Sequence, residues 1–179
     1  GGNTGGAALS DTDTVAITVN TVNDAPVNTV PAAQTTSEDT AKVITGLRID
    51  DIDAGSNTMT VTLTVQHGSL VVTGGSATIA GSSTGTVTLT GTVTQINATL
   101  SATNAVTYTP SLNYNGNDTL GMSTSDGTLS DSDNVAITVT AVNDAPTVIV
   151  PTSQSTNEDT ALFVAGISIA DVDASTGNM

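Results

Sequence analysis

The sequence predicts an all-β fold: an antiparallel sandwich of short strands with one short helix, built in a tandem head-to-tail array. Three observations predict it. Apolar residues and threonines alternate over short stretches such as Met59-Thr60-Val61-Thr62-Leu63-Thr64-Val65, which turns one face inward and the other outward. Threonine makes up about a fifth of the 179 residues, and with abundant Val, Ile and Leu it favours pleated strands over helices. The chain also repeats with a fixed period: Val22-Asn23-Asp24-Ala25-Pro26 returns as Val142-Asn143-Asp144-Ala145-Pro146. A fixed period is the mark of a repeat architecture.

The echo extends on both sides. Ser10–Val19 matches Ser130–Val139, Glu38-Asp39-Thr40-Ala41 matches Glu158-Asp159-Thr160-Ala161, and Asp51-Ile52-Asp53-Ala54 matches Asp171-Val172-Asp173-Ala174. This divides the chain into the last strand of one repeat (1–21), a complete repeat (22–141) and the first strands of the next (142–179). A repeat of that length can bury a core without help.

Within the complete repeat, a first strand descends from Pro26, and Val43-Ile44 with Leu47-Arg48-Ile49 form the return. Met59–Val65, Thr86–Thr90, Val106-Thr107-Tyr108 and Val135–Val139 follow as strands. Gly74-Gly75, Gly81-Ser82-Ser83 and Asn115-Gly116 supply turns. Thr92-Val93-Thr94-Gln95 has the form of a capping box, and Val93, Ile96 and Leu100 recur at helical spacing, so 92–101 is a short helix. Val-Asn-Asp-Ala-Pro is the linker, because proline restricts itself and its predecessor to extended conformations.

Net charge is −15, and Lys42 and Arg48 are the only basic residues besides His67. Such a field repels nucleic-acid backbones and acidic membrane surfaces. No apolar run approaches the ~20 residues of a membrane span, and no signal peptide is visible. Without cysteine, disulfides and thiolate metal sites are excluded.

The acids are not scattered. All seventeen lie within 11–53 or 118–173, and none falls between Ala54 and Asn117. Strand direction sorts them. The last strand (about 133–141) runs down into the next linker and its hairpin partner (about 118–125) runs up, so Asp126 is at the top. The second strand delivers Asp51 and Asp53 to the same end, where Asn23 and Asp24 enter. The bottom collects Glu38, Asp39, Asp118 and Asp144. Any one Asp reads equally as a turn residue that bonds its own backbone, but turn propensity does not explain the convergence.

Converging carboxylates repel one another unless a cation intervenes. Calcium takes six to eight oxygens at flexible angles, whereas zinc and copper want nitrogen or sulfur, and His67 is the only candidate nitrogen ligand. Asp131 and Asp133 read as top-loop or solvated residues. Asp50 becomes Ala170 in the next copy and so is not essential. His67, beside Gly68, reads as a turn residue and Phe163 as core. Tyr108 and Tyr114 read as core or corner residues. Lys42 and Arg48 read as surface residues or partners of a local carboxylate.

The run Ser125-Asp126-Gly127-Thr128-Leu129-Ser130, Val135–Val139 and Val142-Asn143-Asp144-Ala145-Pro146 resembles the end of a cadherin repeat. With Tyr108-Thr109-Pro110 and Asn113-Tyr114-Asn115-Gly116-Asn117-Asp118, it is most similar to the bacterial cadherin-like tandem repeats of large surface proteins and adhesins. The resemblance implies an Ig-like sandwich with calcium at its junctions. It matches Asp51 and Asp53 to the paired-aspartate motif, Asn57 to its accompanying asparagine, Asp126 to the lone aspartate after the penultimate strand, and Glu38 to the first-strand glutamate. Asn23-Asp24 and Asn143-Asp144 match the calcium-binding linker, and Asp171 and Asp173 repeat the pair. The chain departs from the family at Thr21 and Ala25, where acid and amide ligands are missing. It also lacks an Asp-Arg-Glu motif, near whose place only Asp118 stands. Fewer ions per junction are therefore expected.

The expected function is a structural repeat of an extracellular, calcium-stiffened adhesin stalk or surface fibre. A carbohydrate- or protein-binding module on the same sandwich is the alternative. An enzyme is not expected, since Asp51 and Asp53 stand two apart in one loop rather than flanking a bond. Expected partners are neighbouring repeats of the same chain. The strands at the two ends are completed either by an identical chain, giving a filament by strand complementation, or within a longer fibre.

Overall fold

In the computed structural model Gly1, Gly5 and residues 11–174 are described. The start of the Ser10–Val19 match and the 175–179 end of the third segment lie outside the described residues.

The class is all-β with one short helix, sandwich-like in arrangement. In chain order the strands are β1 (Val27–Thr29), β2 (Gln34–Ser37), β3 (Lys42–Ile44), β4 (Arg48–Asp50), β5 (Met59–Thr64), β6 (Gly68–Val72), β7 (Thr78–Ala80) and β8 (Thr86–Gly91). Helix α1 (Val93–Leu100) leads to β9 (Val106–Pro110), β10 (Gly116–Ser125) and β11 (Ser130–Thr140), and β12 (Thr147–Ile149) and β13 (Ser168–Ala170) follow. One sheet has the order β2-β11-β10-β5-β8-β7 and a second β3-β9-β6, with β1-β4 as a separate pair. Alternation decides which residues face inward. Met59, Val61 and Leu63 of β5, Val87 and Leu89 of β8, and Val135, Ile137 and Val139 of β11 are buried, and they join Leu70, Val72, Val106 and Tyr108 of the smaller sheet in one core. The threonines between them face outward.

The sheet is not wholly antiparallel, as expected, because β2 lies parallel to β11, with Ile137 opposite Gln34 and Thr140 opposite Ser37. Both strands run from the upper to the lower end, so their pairing can only be parallel. Strands β6 and β7 carry no clean alternation and were not legible. Burial on both sides of Leu70 and Val72 and the short length of β7 hide the period.

The helix forms where the capping box predicts. Thr92 Oγ1 accepts the Gln95 N–H at 3.3 Å and Gln95 Oε1 accepts the Thr92 N–H at 2.9 Å. Ile96, Thr99 and Leu100 are buried. Asn97 anchors α1 to β4: its side-chain amide donates to the Ile49 carbonyl at 2.8 Å and its Oδ1 accepts the Ile49 N–H at 2.9 Å. Gly75, at φ +69°, lies so close to Thr99 that a Cβ there would fall 2.2 Å from the Thr99 Cα. Replacing Thr92 by alanine should cost about 1 kcal/mol, read as a lower urea midpoint with an unchanged slope.

Residues 142–174 reproduce the local geometry of 22–54. Register Thr147↔Ala170 repeats Val27↔Asp50. The left-handed residue Asp39 (φ 56°) recurs as Asp159 (φ 58°), and the hydroxyl bond from Thr36 to the Thr40 carbonyl recurs from Thr156 to Thr160. The packing does not recur. Phe163, expected in a core, is 88% exposed, because this segment carries no counterpart of β5–β11 to cover it. At the other end, residues 11–21 form no strand or helix, and Val15, Ile17 and Val19 are exposed. No helix among the described residues is long and apolar enough to cross a membrane.

Candidate metal centre

At the upper end, β4 runs into the turn Asp51-Ile52-Asp53. Asp51 Oδ1 accepts the N–H groups of Asp53 (3.2 Å) and Ala54 (2.9 Å), a turn that an Asp side chain makes for itself. Asp53 Oδ2 accepts the Asp24 N–H at 3.0 Å, which ties the linker to the turn. Asn23 donates from its amide to Asp126 Oδ2 at 2.6 Å, and Asp126 Oδ1 accepts the Thr128 and Leu129 N–H groups of the β10–β11 hairpin. Asn23, Asp24, Asp51, Asp53 and Asp126 thus come together from three separate parts of the chain.

The electrostatics of these acids differ. Burial, together with the hydrogen bond and negative charge of Asp53, pushes Asp51 above the usual carboxylate range. The Asn23 amide, followed by the hairpin N–H groups, holds Asp126 below it. Among the described residues, the buried side-chain oxygens and nitrogens without a hydrogen-bond partner are Asp51 Oδ2 and Asp144 Oδ2.

Asp144 belongs to the lower end, where the linker leaves the complete repeat. Glu38, 2% exposed, accepts the Val142 N–H with Oε1 at 2.5 Å and the Asn115 amide with Oε2 at 3.5 Å. Asp173 Oδ2 accepts the Asp144 N–H, Asp171 Oδ1 accepts the Asp173 N–H at 3.0 Å, and the Asn143 amide donates to the Asp144 carbonyl at 2.9 Å. These three bonds copy those of Asp24, Asp53, Asp51 and Asn23 one period earlier. Desolvation pushes the Asp144 carboxyl up, and the negative charges of Asp173, Asp39, Glu38 and Asp171 push it further. The same hydrogen-bond pattern thus recurs at both ends, and at the lower end Glu38 and Asp39 lie near enough to Asp144 to raise its carboxyl.

Asp118 does not take part as expected. It lies 6% exposed inside the sandwich, where Oδ1 accepts the N–H groups of Gln66 and Thr119 and Oδ2 accepts the His67 N–H and the Tyr108 hydroxyl. Burial pushes its carboxyl up, but these four donors outweigh it and hold the group below the usual range. All the strong acceptor directions are spent on protein, so Asp118 is a structural anchor for the β5–β6 turn rather than a ligand. Asn57 lies exposed in the turn after Ala54, where its N–H bonds the Ala54 carbonyl, and no contact brings its side chain to the acids. Asp131 accepts the Asn28 N–H at 2.8 Å and so pins β1 to β11.

The loop Ser111–Asn115 was not singled out as part of the joint, yet the Asn113 N–H donates to Asp39 and Asn115 reaches Glu38. Its run of asparagines shortly before β10 was the available signal. His67 is in a turn as expected, with its ring stacked on Tyr114 at 4.3 Å. Tyr108 is core and the Tyr114 hydroxyl closes a corner on the Asn117 carbonyl. Arg48 pairs with Asp50 at 3.6 Å, both largely exposed.

Among the described residues, no three Asp, Glu or His side chains stand close enough to form a metal-holding group by themselves. Backbone N–H donors hold many of the acid oxygens, and an ion here would draw on carbonyls and Asn amides as well. Each donor set is all oxygen and holds one desolvated, unpaired carboxylate oxygen, Asp51 Oδ2 above and Asp144 Oδ2 below, which fits a hard cation. No protein-family model matches the chain, and neither does any curated protein.

Replacing Glu38 by alanine removes the clamp on the linker. The Val142 amide should then exchange with solvent at least tenfold faster, as a lost charge-assisted hydrogen bond of about 1.5–3 kcal/mol implies.

Proposed function

We propose that this chain is part of a tandem array of Ig-like, cadherin-like β-sandwich repeats in an extracellular adhesin stalk or surface fibre, stiffened by calcium at each joint. The observation that carries the reading is the recurrence of one joint. The same three hydrogen bonds among Asn, Asp and the paired aspartates form at Asn23–Asp53 and at Asn143–Asp173. One unpaired desolvated carboxylate oxygen sits in each copy, at non-equivalent positions: Asp51 Oδ2 in the first and Asp144 Oδ2 in the second.

Asp51, Asp53, Asp126, Asn23 and Asp24 would hold the ion on one side of a joint. Glu38 and Asp39 would complete it from the neighbouring repeat, acting with the next copy's Asn143, Asp144, Asp171 and Asp173. Calcium supplies positive charge that cancels the repulsion among these acids and ties two repeats through shared ligands. The chain's own residues do the rest. Asp53 and Asp173 hold the linker N–H, Glu38 holds Val142, and Asp39 fixes the Asn113 loop. Partners are then neighbouring repeats, and nothing in the site offers a bond-breaking pair of groups. The exposed segments 11–21 and 142–174 would be covered by further copies of the repeat in a fibre.

Calcium titration followed by calorimetry and small-angle scattering tests the reading. Saturable binding with a smaller radius of gyration is expected; equal scattering in calcium and in chelator, with no heat of binding, sinks it.

A further inference from the structure

We infer that the aliphatic residue between the paired aspartates, Ile52 in one copy and Val172 in the next, is a docking point for the lower end of the preceding repeat, separate from the carboxylates beside it. The inference rests on the head-to-tail reading above and adds an apolar contact to it.

The observation is a reversal of exposure. Residues 142–174 lack the strands that cover 22–54, so counterparts become more exposed: Ile49 is buried at 0%, whereas Ile169 is 57% exposed. Position 52 runs the other way. Ile52 is 88% exposed and Val172 only 55%. Its own copy gives Val172 less cover than Ile52 receives, so the additional cover comes from elsewhere. Val172 lines two shallow grooves where its own copy meets the lower end of the complete repeat; that end supplies Asn115 and Ala141 to one groove and Asn113 to the other. The methyl group of Ala141 offers the valine an apolar partner, while Asp173 beside it accepts the linker's Asp144 N–H and Asp171 accepts the Asp173 N–H within the turn.

The two halves of the joint therefore meet through an apolar tip as well as through acids. The contact of Val172 with Ala141 and the Asn113–Asn115 loop is between uncharged groups and needs no ion, though Asp173 lines one groove and Asp144 and Asp171 the other. It is small, about a third of one side chain, so it orients the joint rather than holding it shut. The occupant that fits Ile52 is the same lower end, a Ser111–Asn117 loop with an Ala-Val linker start, belonging to another repeat.

The test uses the full 179-residue chain with labelled methyl groups. In chelator, nuclear Overhauser contacts are expected from the Val172 methyls to Ala141 or to the Asn113–Asn115 loop. They should vanish in Val172→Asp and persist in Val172→Ile, which carries the residue found at position 52. With calcium present, dipolar couplings of 142–173 should keep one orientation relative to those of 22–141 in the wild type and in Val172→Ile, and that orientation should change in Val172→Asp. The amide spectrum of 22–141 reports that the core is intact, since Val172 lies outside it. Contacts seen only with calcium overturn the inference while leaving the calcium joint standing. Contacts in chelator with no response to calcium support it and remove the calcium joint. No contacts in either condition, or an unchanged joint in Val172→Asp, overturn it.

Discussion

Asp118→Ala is expected to destabilise the repeat by about 3 kcal/mol or more, which should lower its urea midpoint substantially. The substitution strips acceptors from the N–H groups of Gln66, His67 and Thr119 and from the Tyr108 hydroxyl in one step. A buried donor left without a partner carries its desolvation penalty in full. Asp118→Asn keeps one acceptor oxygen but turns an amide towards donors, so it should fall between the two. The carboxyl of Asp118 is held below its unfolded value of about 3.9. Its contribution is therefore fully present above that value and is lost as pH falls through the folded-state pKa. Wild-type stability should drop with acid below about pH 4, and the alanine variant should show a shallower drop. An equally steep acid limb in both would remove Asp118 from this role.

Removing calcium should produce the second large effect. A cation that binds only the folded joint stabilises it by mass action, roughly 2.7 kcal/mol per site at one hundred times the dissociation constant. For extracellular modules that constant is on the order of 10⁻⁴–10⁻³ M. Chelation should lower the melting temperature and enlarge the molecule in scattering. The double variant Asp51→Asn with Asp53→Asn should abolish the calcium response, while Asp131→Asn, whose carboxylate already serves Asn28, should leave it intact. Without the ion, Asp51 and Asp144 carry carboxyl pKa values raised above the ordinary range. The folded state then takes up protons more readily than the unfolded one. Stability in chelator should fall as pH rises through the raised values, and calcium should reverse that trend. A calcium response that survives in the double variant would place the ion elsewhere.

Local features were legible because they depend on neighbours in the sequence. The capping box at Thr92 and Gln95 formed as read, since both partners lie within one turn. The alternation of Met59–Thr64 placed the core face of β5 correctly. The linker's grip on the paired aspartates was legible through strand direction, which a period of 120 residues supplies without coordinates. Where tertiary contacts compete, sequence reasoning lost its hold. Asp118 ends an asparagine-rich stretch that looks like a ligand loop, but the β5–β6 turn folds over it and consumes both oxygens. Phe163 reads as core from its type alone, yet a side chain is buried only when other strands arrive to cover it.

The sequence by itself determined the class, the period, the helix and the gathering of acids at the ends, because propensity, alternation and turn chemistry are short-range. Only the tertiary structure decided how those acids divide. It brought Glu38 and Asp39 close enough to Asp144 to raise its carboxyl, and it placed Asp118 in the interior. The reason is physical: whether a carboxylate is free for a ligand depends on which distant N–H and O–H groups reach it first.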